Sequence, residues 1–242
     1  GVIRHWRLLR TVLDRMIRRR PKPGLQAALL LGAFEILDNR EDSGRIARIV
    51  DHAVTHAAKS LSQREAGLVN AVLRAFPDRL QDLLDSLDRR SVKQTAIRMS
   101  HPDWLVDRWI DAFGREATLE LMSWNQRTPE TYIRLDEKLE SPPAGIEPTP
   151  WRRFYRVAEG GWTAAARWLA EGAGYIQDPA TQRATEAAAV EAGETVLDLC
   201  SAPGGKARAL LTGNPAAIVS VDLDAASLGE RHRQWCENLD RF

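Results

Sequence analysis

The sequence predicts a multidomain protein in which an all-α bundle is followed by a small α+β domain and then by the start of a doubly wound α/β fold. Three observations predict it. From Val2 to about Leu87 apolar residues recur at three- and four-residue spacing, with no strand signal. From Thr131 to Asp178 short alternating stretches replace that period. From Thr195 to Asp222 the order is strand, glycine turn, helix, strand, acid, which opens a nucleotide-binding α/β fold. The implied domains are residues 1–88, 89–175 and 176–242.

Length and composition bound the function. The 242 residues are enough for one or two domains with real cores, at about 100–200 residues per domain. No apolar run approaches the roughly 20 residues of a membrane span, and the polar, arginine-rich N-terminus has no secretory pattern. Two cysteines, Cys200 and Cys236, make neither a disulfide framework nor a zinc cluster, so a reducing, cytoplasmic setting without a metal is expected. Net charge is +1, but its distribution is uneven. Arg4, Arg7, Arg10, Arg15, Arg18, Arg19, Arg20 and Lys22 face one nearby acid, Asp14. A concentrated basic face is the footprint of a phosphate-backbone ligand; a solvated helix face is the plainer alternative.

The elements follow in order. Trp6, Leu9, Val12, Leu13 and Met16 mark a first helix, and Leu29, Leu30, Ala33, Phe34 and Leu37 a second, with Pro21, Pro23 and Gly24 between them. Asp42-Ser43-Gly44 opens a third, carrying Ile46, Ile49, Val50, Ala53 and Val54. Ser62-Gln63-Arg64-Glu65 reads as a capping box before Leu68, Val69, Val72 and Leu73. His101-Pro102 marks a boundary. One helix is then expected from Pro102 to Ser123, burying Trp104, Leu105, Trp109, Ile110 and Phe113. Residues 131–135, 154–157 and 175–178 read as strands, and the proline-rich stretch from Ser141 to Pro150 as a loop. Asp178–Val190 reads as a helix, Thr195–Leu199 as a strand, Lys206–Leu211 as a helix, and Ile218–Val221 as a strand ending at Asp222.

Gly204 and Gly205 let the backbone turn sharply and approach a ligand. Their turn sits at the carboxyl end of a strand, where open α/β sheets bind ligands, and Asp222 lies about 20 residues on, placed to accept from ribose hydroxyls. The chemistry narrows by elimination. Cys200 stands where a Walker A loop needs glycine and Ala207 where it needs Ser or Thr, and the dinucleotide GxGxxG is absent. S-adenosylmethionine, with a ribose and adenine but no pyrophosphate, remains. A plain strand-to-helix turn is the structural alternative.

The string Leu197-Asp198-Leu199-Cys200-Ser201-Ala202-Pro203-Gly204-Gly205-Lys206 closely resembles the LDLCAAPGGKT motif of RNA cytosine-5 methyltransferases of the Sun/Fmu/RsmB family. Leu68-Val69-Asn70-Ala71-Val72-Leu73-Arg74 resembles the NusB-like domain of its bacterial rRNA members. His101-Pro102-Asp103-Trp104-Leu105, Asn125-Gln126-Arg127-Thr128-Pro129 and Gln177-Asp178 resemble its middle signatures. Ser201, Ala207 and the stretch Asp38–Gly44 depart from the pattern. The resemblance implies a NusB-like RNA-binding domain and a Rossmann-like methyltransferase core. It also implies 16S ribosomal RNA as the partner, and S-adenosylmethionine held by Cys200, Ser201, Ala202, Pro203, Gly204, Gly205 and Lys206 with Asp222. Family chemistry adds a cysteine thiolate to C6 of cytosine, which activates C5. Cys200 matches the cofactor-motif cysteine and Cys236 matches neither catalytic motif, so no catalytic residue is expected here. The chain opens on Gly1 and closes on Phe242 inside helix-like patterns, so a piece of a longer protein is expected, with the catalytic cysteines beyond Phe242 and the fragment inactive. Its last segment, with two core strands, is expected to be poorly ordered or to self-associate when made alone. Two other readings compete. One is a non-catalytic NusB-like RNA-binding module with a remnant methyltransferase fold. The other is a small-molecule methyltransferase, which the Pro-Gly-Gly-Lys string and the arginine-rich face disfavour.

Overall fold

The structure, a computed structural model, describes residues 1–88 and 90–240. It divides into two compact units, residues 1–128 and 129–242, inside which the sequence-derived boundaries at 88/89 and 175/176 fall.

The first unit is helical: α1 (Trp6–Met16), α2 (Pro23–Asp38), α3 (Ser43–Ser60), α4 (Gln63–Ser86), α5 (Val92–Arg98), α6 (Asp103–Phe113) and α7 (Arg115–Gln126). Pro23 takes the first position of α2, where its missing N–H has no helical acceptor to lose. The Asp42 side chain caps α3 by accepting from Arg45 N at 2.8 Å. Ser62 caps α4 by accepting from Glu65 N at 3.2 Å, and its hydroxyl donates to Glu65 Oε2 at 2.6 Å. Leu9, Val12, Leu29, Ile36, Val69, Leu73, Phe76 and Leu83 interleave in the bundle core and are essentially unexposed. Each such side chain contributes about 1.5–3 kcal/mol on burial.

Helices α5–α7 form a separate small core of Ala96, Val106 and Met122. Two expectations fail here. The single helix from Pro102 to Ser123 is two, because Gly114 takes φ +77° and turns the chain between α6 and α7. Trp104 and Phe113 are 65% and 60% exposed, since the stripe that packs centres on Val106, with Trp109 and Ile110 beside it.

The second unit begins with an antiparallel sheet in the order β2-β3-β1-β4. Its strands are β1 (Thr131–Leu135), β2 (Ile146–Pro148), β3 (Phe154–Val157) and β4 (Gly174–Ile176), and α8 (Trp162–Glu171) packs on one face. Ile133, Leu135, Ile146, Tyr155 and Val157 bury against Ala165 and Trp168 of α8. The stretch expected as a loop thus holds the short strand β2, and α8 was not anticipated. The rest comprises α9 (Ala180–Ala187), β5 (Thr195–Asp198), α10 (Gly205–Leu210), a 3-10 turn (Leu211–Gly213), β6 (Ala217–Ser220), α11 (Ala225–Leu228) and α12 (Glu230–Leu239). β5 and β6 pair in parallel, with Thr195 opposite Ala217 and Asp198 opposite Ser220. Parallel neighbours joined through a helix are a βαβ unit. Leu197, Leu199, Val219, Val221 and Leu223 around this pair are exposed.

Within this unit the small sheet and the βαβ unit are bolted together. Arg208 of α10 pairs with Asp136, donates to Gly172 O at 3.1 Å, and lies 4.7 Å over the Tyr175 ring. Gln177, which follows β4 and is buried, donates from Nε2 to Gly205 O at 3.2 Å.

Candidate functional site

The carboxyl ends of β5 and β6 carry the residues singled out by their sequence. After β5 the chain runs through Leu199 to Gly204 and enters α10 at Gly205. The Ala202–Pro203 peptide is cis, and Gly204 N donates to Ser201 O at 2.6 Å, closing a four-residue turn. Gly204 takes φ +100°, ψ −2°, a conformation that favours residues without a Cβ. Ser201, Ala202 and Gly204 are buried, whereas Cys200 and Pro203 are exposed and Gly205 and Lys206 half-buried. The first three therefore shape the turn and the other four present its outer surface. Lys206 folds back, its Nζ donating to Cys200 O at 2.7 Å.

Asp222, two residues past β6, comes to the same place. Its Oδ2 accepts from Ala202 N and its Oδ1 from Leu223 N, each at 2.8 Å. These backbone donors, Leu223 N–H foremost and then Ala202 N–H, hold the Asp222 carboxyl below the ordinary carboxylate value. An ionised carboxylate has about four acceptor positions, so each oxygen keeps capacity beyond its backbone bond. Ser201 N also donates to Val221 O at 3.2 Å, and Val221 N to Asp198 O at 2.8 Å. The turn and the acid are one hydrogen-bonded assembly across the two strand tips.

Sequence reasoning missed several parts of this assembly. Arg231 Nη2 donates to Ala202 O at 2.7 Å and Asn238 Nδ2 to Pro203 O at 2.5 Å, so α12 holds two carbonyls of the turn. Nothing in the spacing of α12 marks those residues. Gln177 and Arg208 hold α10, and of these only Gln177 stood in a recognised signature. Two acceptor atoms in the assembly, Asp198 Oδ2 and Ser201 Oγ, are buried and have no protein partner. Cys200 and Cys236 are free thiols. Among the described residues no group of three His, Cys, Asp or Glu is placed to hold a metal ion, and no helix is long and apolar enough to cross a membrane.

Residues 1–78 match the NusB family. The ribosomal RNA small subunit methyltransferase B of Cronobacter sakazakii is 28% identical over 260 residues, covering 100% of this chain and 57% of that protein. The same-named protein of Pasteurella multocida is 28% identical, covering 97% and 52%. The probable ribosomal RNA small subunit methyltransferase B of Bacillus subtilis is 28% identical, covering 81% and 45%. The chain is a homologue of these proteins. It spans about half the length of the curated relatives it matches. The crystal structure of PH0851 shares the fold with a TM-score of 0.76, at 19% identity, over 99% of this chain and 56% of that one.

In the unit that the NusB domain opens, the N-terminal arginines divide by partner. The Arg4 guanidinium donates to the carbonyls of Gln126 and Arg127. Arg7 donates to His101 O and pairs with Asp103 at 2.7 Å, and Arg10 pairs with Asp14 at 3.1 Å. Ser100 Oγ accepts from Arg7 N at 2.9 Å, and Gln126 Nε2 donates to Met99 O at 2.6 Å. The two sequence signatures 101–105 and 125–129 thus meet α1 in one polar knot. Two of the eight basic residues in the N-terminal run, Arg4 and Arg7, bind inward and Arg10 pairs along its own helix, while Arg15, Arg18, Arg19, Arg20 and Lys22 remain exposed.

Proposed function

We propose that the chain contributes the RNA-binding and cofactor-motif parts of an S-adenosylmethionine-dependent RNA (cytosine-5-)-methyltransferase acting on 16S ribosomal RNA. Residues 1–88 serve as the NusB-like RNA-binding part, 89–175 as the middle part, and 176–242 as the start of a Rossmann-like methyltransferase domain. A reducing cytoplasm, where Cys200 and Cys236 stay thiols, is the setting. The observation that carries the reading is the 2.8 Å bond from Ala202 N to Asp222, which joins the glycine turn and the ribose-type acid at adjoining strand tips. The sequence homology with rRNA methyltransferases supports the same conclusion.

The residues present fit the cofactor. A half-exposed carboxylate with spare acceptor capacity suits a ribose diol, and the exposed outer surface of the turn gives an adenosylated amino acid room to approach. Cys200, Pro203, Gly205 and Lys206 line that surface. Ser201, Ala202 and Gly204 fix its curvature, and Asp222 accepts from the ribose hydroxyls. When bound, S-adenosylmethionine supplies an electrophilic methyl group. The chain's own residues bind and orient; neither cysteine is the nucleophile, and the 242-residue chain alone is inactive.

Calorimetry of S-adenosylmethionine binding to the full-length parent, beside Asp222→Ala, tests the site. Binding to the wild type that is lost or sharply weakened in the variant is expected, together with 5-methylcytosine in 16S RNA treated with the parent. A wild type that does not bind the cofactor would return the chain to a non-catalytic NusB-like RNA-binding module.

A further inference from the structure

A second cationic surface lies on α3, and nothing in the sequence reading pointed to it. Along this helix Arg45, Arg48, His52, His56 and Lys59 are all exposed. At about 100° per residue they fall within an arc of about 80°, one cation or imidazole per turn along about 21 Å of helix. The opposite stripe, centred on Val50 and Ala57, packs into the bundle. The acid of α3 nearest the row, Asp51, projects about 60° beyond its edge. Beside the row runs an open groove lined by Glu35, Asp42, Arg45, Arg48, Ile49 and His52.

The row is not spent on internal pairs. Asp42 accepts from the backbone N of Arg45, not from its guanidinium, and His56 contacts Ser60 at 3.3 Å. No ion pair among the described residues uses Arg45, Arg48 or Lys59. This contrasts with Arg7 and Arg10 of α1, which both sit in ion pairs, and with Arg4 just before it, which donates to two carbonyls. A regular row of donors, one turn apart and without ion pairs among the described residues, suits a ligand whose charges also repeat along a line.

We infer that the exposed face of α3 is a phosphate-backbone docking row for RNA, separate from the N-terminal arginine run. The inference rests on the RNA-binding reading above and adds the surface to it. Arg45, Arg48 and Lys59 neutralise phosphates, and His52 and His56 donate N–H groups between them. Such contacts fix register and carry no base specificity.

The test is RNA binding by the full-length parent, followed by fluorescence anisotropy with a labelled RNA hairpin across about 50–200 mM salt. Arg45→Gln/Arg48→Gln/Lys59→Gln is compared with Arg18→Gln/Arg19→Gln/Arg20→Gln, with circular dichroism and S-adenosylmethionine affinity as controls for folding. The α3 variant is expected to bind every hairpin sequence more weakly. The slope of log affinity against log salt should shrink by about 2–3, while cofactor affinity is unchanged. A wild type that binds RNA and an α3 variant with the same affinity and slope would overturn the inference and leave the RNA-binding reading standing. A wild type that binds no RNA defeats both. If polyglutamate competes as well as RNA and the α3 variant loses both, the row is an acidic-peptide dock and the RNA assignment falls.

Discussion

Substituting Gly204 by alanine tests whether the backbone conformation of the turn, rather than its composition, makes the candidate site. Gly204 sits at φ +100°, is buried, and is held at both sides. Its N–H donates to Ser201 O at 2.6 Å and its carbonyl accepts from Arg208 N at 3.0 Å. A Cβ at positive φ costs about 1–2 kcal/mol. Those two bonds oppose relaxation, so the strain either stays in the turn or displaces it from the binding geometry. If the site needs this conformation, S-adenosylmethionine affinity falls by about 5- to 30-fold, at 1.4 kcal/mol per tenfold. Calorimetry on the full-length parent reads this directly. Gly204→Asn is the control: asparagine tolerates positive φ better than alanine, so it should lose less affinity. Unchanged affinity in Gly204→Ala, alongside lost binding in Asp222→Ala, would refute the reasoning. A larger loss in Gly204→Asn would mean that the position demands space instead.

Two further outcomes concern the first unit. Phe76 is fully buried in the bundle, so Phe76→Ala should cost about 3–5 kcal/mol through lost transfer energy and a cavity. A urea midpoint matching the wild type would show that the core does not depend on it. His101 is the pH-sensitive member of the polar knot. Its Nδ1 contacts Met99 O at 2.5 Å, and carbonyls only accept, so Nδ1 carries the proton and Nε2 is left to accept from Asn125 Nδ2 at 3.3 Å. Burial is the main cause lowering its pKa below the ordinary histidine value of 6.5, with the Met99 carbonyl opposing. A depressed histidine favours folding fully above pH 6.5, and that contribution is lost as pH falls from 6.5 toward the folded pKa. Denaturant titrations of the first unit should therefore show stability falling below pH 6.5, with a shallower fall in His101→Asn. Superimposable pH profiles would count against the role.

What was legible in the sequence was local. Asp42 and Ser62 cap the helices they were expected to open, because a cap is a hydrogen bond across three residues. The strands 131–135 and 154–157 and the β5-turn-α10-β6 order follow from alternation and from glycine placement. What stayed hidden depends on partners distant in the chain. β2 exists because Ile146 to Pro148 pair with β3, not because the proline-rich stretch prefers a strand. Trp104 and Phe113 have helical spacing but no neighbour to cover them once Gly114 redirects the chain. Distance along the chain singled out Asp222 but said nothing of its backbone partners, and Arg231 and Asn238 were invisible because only folding brings α12 to the turn. The N-terminal arginine count likewise gave no sign of which guanidinium groups would turn inward.

The bond from Gln177 to Gly205 has a mechanical consequence. Gln177 follows β4 of the small sheet and grips the first residue of α10, while Arg208 clamps the same helix to Asp136 and Gly172. With its first and fourth residues tethered, the six-residue α10 has little slack of its own. Any shift of the turn at Gly204 must pull on β4 and on the segment after β1. The small sheet is therefore the strain gauge of the strand-tip site, registering in its own backbone whatever displaces the turn.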